Sequence, residues 1–311
     1  MHSTNKVNIK HALNERGGFQ IWWRLLRPHT LTAAFVPVFV GSMLAYTEQS
    51  IHIFLFLSML IASILIQAAT NMFNEYYDHA RGLDNEHSVG IGGTIVRDGI
   101  APKTVLNLAF SFFGIAILLG VYICSQSSWW IAIIGLICML FGYLYTGGPF
   151  PIAYTPFGEF FSGFFMGTVI IGISYFIQTG AVTTSAILVS IPVAIFIGCI
   201  MLSNNIRDRE GDRENGRKTI AILLGHKNAV RFLALLFLIA YTLTAIFSFT
   251  GVLPLWSLLP LISAIKAASV IKKFQGKTQP IEMMPAMADT GKTNTFYGVL
   301  LGISLLISTF I

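Results

Sequence analysis

"IFLFLSMLIASILIQAATNMFNEYYDHARGLD" (residues 53–84) joins two kinds of sequence that soluble proteins keep apart. Residues 53–69 are almost wholly apolar, close to the roughly 20 residues an α-helix needs to cross the hydrocarbon core of a bilayer. Asn71, Asn74, Glu75, Asp78, His79, Arg81 and Asp84 then arrive within about four helical turns. Ionisable groups at a membrane edge are costly. The stretch therefore sets the fold class and marks where to look for chemistry.

The apolar half recurs along the chain. Of 311 residues, 54% are hydrophobic and only 11% charged, with a mean hydropathy of +0.70. Soluble domains carry about 25% charged residues, so a soluble fold is excluded and an all-α polytopic membrane protein is expected. Nine spans are predicted, at 29–46, 52–74, 104–124, 128–146, 157–177, 183–205, 229–249, 252–271 and 294–311. Residues 1–28 form a polar, basic amino-terminal segment without a signal peptide. One transmembrane domain, 29–311, follows, with cap loops at 75–103 and 206–228. All 20 basic residues fall on one side of this layout. Lys and Arg favour the cytoplasmic face, which predicts a cytoplasmic amino terminus and an external carboxyl terminus in a multi-pass plasma-membrane protein. The net charge of +6 follows from that orientation and from attraction to anionic lipid, and does not indicate nucleic acid. Cys124, Cys138 and Cys199 lie inside apolar runs as small buried hydrophobes, and the histidines show no zinc spacing.

Nine of the 14 acidic residues occupy the two cap segments: Glu75, Asp78, Asp84, Glu86 and Asp98, then Asp208, Glu210, Asp212 and Glu214. Asn74-x-x-x-Asp78 is echoed by Asn204-x-x-x-Asp208, 130 residues and four spans later. An even number of spans leaves both copies in the same orientation and on the same face, unlike the inverted repeats of many transporters. The expected plan is two tandem four-helix halves plus one further helix.

At 100° per residue, Asn71, Asn74, Glu75 and Asp78 share one helix face, and Asn204, Asp208 and Asp212 form a second stripe. Gly82 is expected to end the first helix and leave Asp84 on the turn beyond. Any single acid here is most simply solvated loop charge, but two helically spaced stripes at one depth would repel unless a cation lay between them. Hard oxygen ligands favour Mg²⁺ or Ca²⁺, and Mg²⁺ usually completes its shell with water and substrate phosphates. Arg81, Arg207, Arg209 and Lys218 suit the remaining phosphate oxygens. An anionic head at the interface with an apolar tail in the bilayer describes a polyprenyl diphosphate. Two Mg²⁺ ions would make its diphosphate a good leaving group. Faces of Phe73, Tyr76, Tyr77, Tyr143 and Tyr145 would stabilise the allylic cation.

The repeated Asn-x-x-x-Asp motif resembles that of the UbiA superfamily of intramembrane aromatic prenyltransferases. "RPHTLTAAFVPVFVGSMLA" (27–45), "NEYYDHARGLD" (74–84), "GIGGTIVRDGI" (90–100), "YTGGPFPIAYTPFGE" (145–159) and "NNIRDREGDRENGRKTIAILLG" (204–225) are similar to the branch that prenylates 1,4-dihydroxy-2-naphthoate in menaquinone synthesis. The resemblance implies nine helices around a central cavity that opens toward the cytoplasm. It implies transfer of a polyprenyl group to dihydroxynaphthoate with loss of its carboxylate. It further implies a first Mg²⁺-diphosphate site at Asn74, Asp78 and Asp84 and a second at Asp208 and Asp212, supported by Asn204 and Arg207. Arg27 would face the diphosphate, and Tyr145 and Tyr154 would shape the aromatic pocket. The glycine-rich 88–99 segment lacks the Lys-Ser/Thr ending of a P-loop. It reads as a mobile lid whose Arg97 reaches the acceptor's carboxylate, or more plainly as a connector.

Two departures stand out. The broader superfamily places its third motif residue where this chain has Gly82, whereas Asp84 follows the naphthoate branch's longer spacing. Glu75 stands where many relatives have Asp and carries no assigned role. The alternatives are a relative acting on 4-hydroxybenzoate, haem or a chlorophyllide, a cation-coupled transporter, and a phosphatidyl-group transferase. The last would keep its aspartates in one compact run.

Overall fold

The computed structural model describes residues 18–84 and 93–310. Among them the regular structure is helical: α1 (Phe19–Leu26), α2 (Pro28–Tyr46), α3 (Ile53–Ala80), α4 (Thr94–Asp98), α5 (Pro102–Gln126), α6 (Trp130–Leu144), α7 (Gly158–Thr179), α8 (Thr184–Glu214), α9 (Ile220–Phe249), α10 (Leu255–Phe274) and α11 (Pro280–Ile307). Seven of these, α2, α3, α5 and α7 to α10, are long and apolar enough to cross a membrane. Their starts follow local chemistry. Pro28, Pro102 and Pro280 occupy first turns, where a missing N–H costs nothing. The Thr183 hydroxyl accepts from Ala186 N at 3.2 Å to cap α8.

Helix α2 is the most enclosed, packing on α3, α7, α8 and α11, while α8 packs on α7, α9 and α11. One core joins α2, α8, α9 and α11 around Val40, Phe196, Phe237 and Tyr297. A second joins α1, α3, α4 and α5 around Leu25, Phe73, Ile95 and Val105. Outward-facing Phe54, Leu118 and Leu238 are exposed, as suits side chains that meet lipid. Helix α7 carries a π-helical turn over Gly163–Val169 where it meets α8. A β-carbon at Gly167 would lie 2.5 Å from Ala194 Cα, so the backbones touch there in the manner of small-residue membrane packing.

Each of the nine expected spans has a helix, with several boundaries moved. Helix α3 runs on to Ala80 and α8 to Glu214, so the first residues of both expected cap loops are helical. Helix α9 begins at Ile220, inside the second cap, and bends at Gly225. The largest displacement is α11, which begins at Pro280 rather than 294. Its first half carries Glu282, Asp289 and Lys292, which lower the hydropathy that defined the span, yet it buries Met283, Ala286 and Met287. The 88–99 segment contributes α4. The remainder of that segment, 88–92, lies outside the described residues, as do Glu86, 1–17 and Ile311.

Candidate active site

The two acidic motifs sit on the polar extensions of α3 and α8, and both face one cavity of about 500 Å³. Its charged mouth is lined by Arg27, Asn74, Asp78, Asp84, Asn204, Arg207, Asp208 and Arg217. From there it descends between apolar walls from α3, α5, α6 and α7, past Met59, Ala116, Phe141 and Phe165, to Ile123 and Trp129. Asn74 and Asp78 share the cavity face because four residues make just over one turn.

Arg27 reaches the mouth through an unusual backbone. It caps the end of α1 and the start of α2 with φ 51° and ψ 66°, the only left-handed non-glycine among the described residues. That conformation costs an L-residue roughly 1–2 kcal/mol, and Pro28 further disfavours an ordinary helical continuation. Asn71 anchors the junction, donating to Leu26 O and Thr30 Oγ1, both at 2.9 Å. Arg27 Nη1 then donates to Asn74 Oδ1 at 2.8 Å, and Asn74 Nδ2 to Asp78 Oδ2 at 3.2 Å. Arg27, Asn74 and Asp78 thus form one hydrogen-bonded chain.

The second motif joins it through Arg217. Arg217 Nη2 meets Asp78 Oδ1 at 2.6 Å and its Nη1 meets Asp212 Oδ1 at 3.0 Å, with the guanidinium 5.2 Å from the Tyr154 ring centroid. Burial works against this cation, but Asp78 and Asp212 hold its pKa above the ordinary arginine value. Arg207 grips Asp208 with Nε and Nη2 at 2.6 and 2.5 Å. Asp84 follows Gly82, whose φ of 74° closes α3, and its backbone N–H returns to Asp78 O at 3.3 Å. Burial first, then the charge of Asp78, push the Asp84 carboxyl up to about 6, against the pull of Arg27.

Among the residues proposed from sequence, the cavity gathers Arg27, Asn74, Asp78, Asp84, Asn204, Arg207, Asp208 and Tyr145. Asp212 does not line the cavity but pairs with Arg217, which does. Tyr154 packs under Arg217 and Arg81 without lining the cavity. Lys218 is exposed, while the neighbouring Arg217 lines the cavity. Arg97 is buried on α4, away from the lining. Glu75 gains a role: its fully buried carboxylate accepts from Thr94 Oγ1 and from Ile95 N at 3.2 Å, with Arg27 Nη2 3.9 Å away. It ties α4 to the acidic helix. Arg217, Asn205 and Glu159 escaped the sequence reading, and only the Asn204–Asn205 pair offered a signal.

The donor set suits a hard cation that brings its own ligands. Asn204 Oδ1 and Asp212 Oδ2 are buried without a hydrogen-bond partner. Among the described residues no three histidine, cysteine, aspartate or glutamate side chains converge to hold a metal unaided. Mg²⁺ commonly takes one or two carboxylates and fills its shell from phosphate and water, which these residues fit.

The sequence profile of the UbiA prenyltransferase family matches residues 34–287. The chain is 54% identical to the 1,4-dihydroxy-2-naphthoate octaprenyltransferase of Bacillus subtilis (strain 168), over 100% of both chains. It is 30% identical to the Homo sapiens UbiA prenyltransferase domain-containing protein 1, over 64% of this chain and 60% of that one. A UbiA homologue from Archaeoglobus fulgidus bound to GPP and Mg²⁺ has a similar fold, with TM-score 0.63 and 17% identity, over 90% of this chain and 99% of that one. An apo UbiA homologue from Aeropyrum pernix K1 gives TM-score 0.67 at 14% identity, over 90% and 98%.

Proposed function

The chain belongs to the UbiA prenyltransferase family, and on that premise we propose that it transfers a polyprenyl group from polyprenyl diphosphate to 1,4-dihydroxy-2-naphthoate. The acceptor's carboxylate is lost and the product is demethylmenaquinone. One observation carries the reading. Asn74 with Asp78 and Asn204 with Asp208, from two helices 130 residues apart in sequence, line the charged end of one otherwise apolar cavity. The name of the Bacillus subtilis relative supports the choice of acceptor.

Asp78, Asp84 and Asp208, with Asn74, Asn204 and Asp212, would hold two Mg²⁺ ions together with the donor's diphosphate. When bound, Mg²⁺ neutralises the charge that develops on the departing diphosphate. The protein's own cations add to that. Arg27 and Arg217 stand at the mouth, and guanidinium groups pair well with phosphate oxygens. Below them the apolar walls take the prenyl chain and exclude water from the cationic carbon, with Phe141, Tyr145, Phe161 and Phe165 offering electron-rich faces. The mouth opens toward the cytoplasm, in keeping with the one-sided distribution of Lys and Arg. A transporter is disfavoured because such sites usually lie near the midplane on broken helices, whereas Asp78 and Asp208 lie toward the carboxyl ends of α3 and α8.

The test is purified protein with Mg²⁺, a polyprenyl diphosphate and dihydroxynaphthoate, scored for prenylated naphthoquinone. Product with 4-hydroxybenzoate but none with dihydroxynaphthoate overturns the acceptor, and no turnover with any aromatic acceptor overturns the enzyme. Asp78→Ala and Asp208→Ala are each expected to abolish turnover while the protein still inserts. Near-normal rates in either variant would reject the metal-diphosphate site.

A further inference from the structure

Glu159 stands at the start of α7 with only 5% of its surface exposed. Its Oε1 accepts from Asn205 Nδ2 at 2.9 Å, while Oε2 is buried without a hydrogen-bond partner. A carboxylate so placed is expensive unless it serves something. The surroundings keep it in place. A β-carbon at Gly198 would come within 3.2 Å of Glu159 O, so α7 and α8 are in close contact at this point.

Asn205 is one step around α8 from Asn204, about 100° away. It lines the same cavity, as do Tyr145 and Ser162. One N–H of the Asn205 amide donates to Glu159, which turns the nitrogen end of the amide toward that carboxylate. That leaves its carbonyl oxygen as the group this side chain presents to the cavity. A buried carboxylate thus fixes which end of an amide faces the substrate, and the end it selects is a hydrogen-bond acceptor. A carbonyl oxygen accepts and does not donate, so the matching ligand group is a neutral donor such as a phenolic hydroxyl.

We propose that Asn205 accepts a hydrogen bond from a hydroxyl of the aromatic acceptor and that Glu159 is the positioning residue that orients it. The assignment rests on the prenyl-transfer reading and adds an acceptor-recognition wall distinct from the diphosphate mouth. It separates the two substrates in kinetics. Losing one neutral hydrogen bond should raise the KM for dihydroxynaphthoate by about three- to tenfold, with the KM for polyprenyl diphosphate unchanged.

The experiment measures both KM values for wild type, Asn205→Leu, Glu159→Leu, Glu159→Gln and the Asn205→Leu/Glu159→Leu pair. Asn205→Leu and Glu159→Leu should each raise the acceptor KM alone. Glu159→Gln, which can still accept from Asn205, should restore it, and the double variant should lose no more than either single one. An unchanged acceptor KM in Asn205→Leu, an equal rise in both KM values, or additive losses in the double variant overturns the proposal. Asn205→Leu decides alone if Glu159→Leu does not insert. Wild-type turnover of dihydroxynaphthoate is the separate control on the parent reading.

Discussion

Asp84 titrates near 6 rather than near the 3.8 of a free aspartate, because burial and the charge of Asp78 favour its protonated form. The sign of the consequence follows. In the metal-free protein the folded state binds this proton more tightly than the unfolded chain does, so lowering the pH from about 6 toward 4 stabilises it. A cation needs the ionised carboxylate, so as pH falls through about 6, each Mg²⁺ bound at Asp84 must displace a proton. Apparent Mg²⁺ affinity in the prenyl-transfer assay should therefore fall as the pH drops through about 6. Asp84→Asn should make that dependence shallower. Helical spacing made Asn74, Asp78, Asn204 and Asp208 legible, since their positions on a regular helix dictate a shared face. Beyond a helix end that rule lapses, and nothing local sets Arg217, which pairs with both motifs, apart from Lys218 beside it. Glu75 and Glu159 are single carboxylates whose partners lie 19 to 46 residues away, and no local pattern announces them.

At the level of elements, the meeting of α7 and α8 is the tightest joint near the site. Gly163 and Gly167 both face Ala194, with β-carbons built there 2.6 and 2.5 Å from its backbone. A larger residue cannot be absorbed by rotating a flexible side chain, because the obstacle is main chain. Gly167→Leu should separate the helices, shift the wall that carries Glu159 and lower the thermal midpoint in detergent by several degrees. Gly172→Leu is the control, since a β-carbon there meets nothing within 4 Å. Span positions were readable from hydropathy because a bilayer demands length and apolarity together. The start of α11 was not, because its polar first half is held by packing of Met283, Ala286 and Met287 rather than by lipid. The π turn in α7 leaves no trace in hydropathy either.

Across the whole molecule, the mouth of the cavity is where the two sequence halves face one another. Asp78 comes from α3 and Asp212 from α8, and Arg217 spans them. Mg²⁺ with inorganic pyrophosphate should stabilise the folded protein through binding alone, by about 2.7 kcal/mol at a hundredfold excess over Kd. That gain should vanish in Asp208→Ala and should not appear with pyrophosphate under EDTA. The Arg217 bridge also bears on how the protein tolerates being empty. Four carboxylates gathered at a membrane surface would push the halves apart, yet Arg217 and Arg207 pair with three of them and offset two of those charges from within the chain. Loading the site is then an exchange of counter-ions rather than the rescue of a repelling cluster, so the bundle can be synthesised, inserted and kept in the bilayer before it meets either substrate.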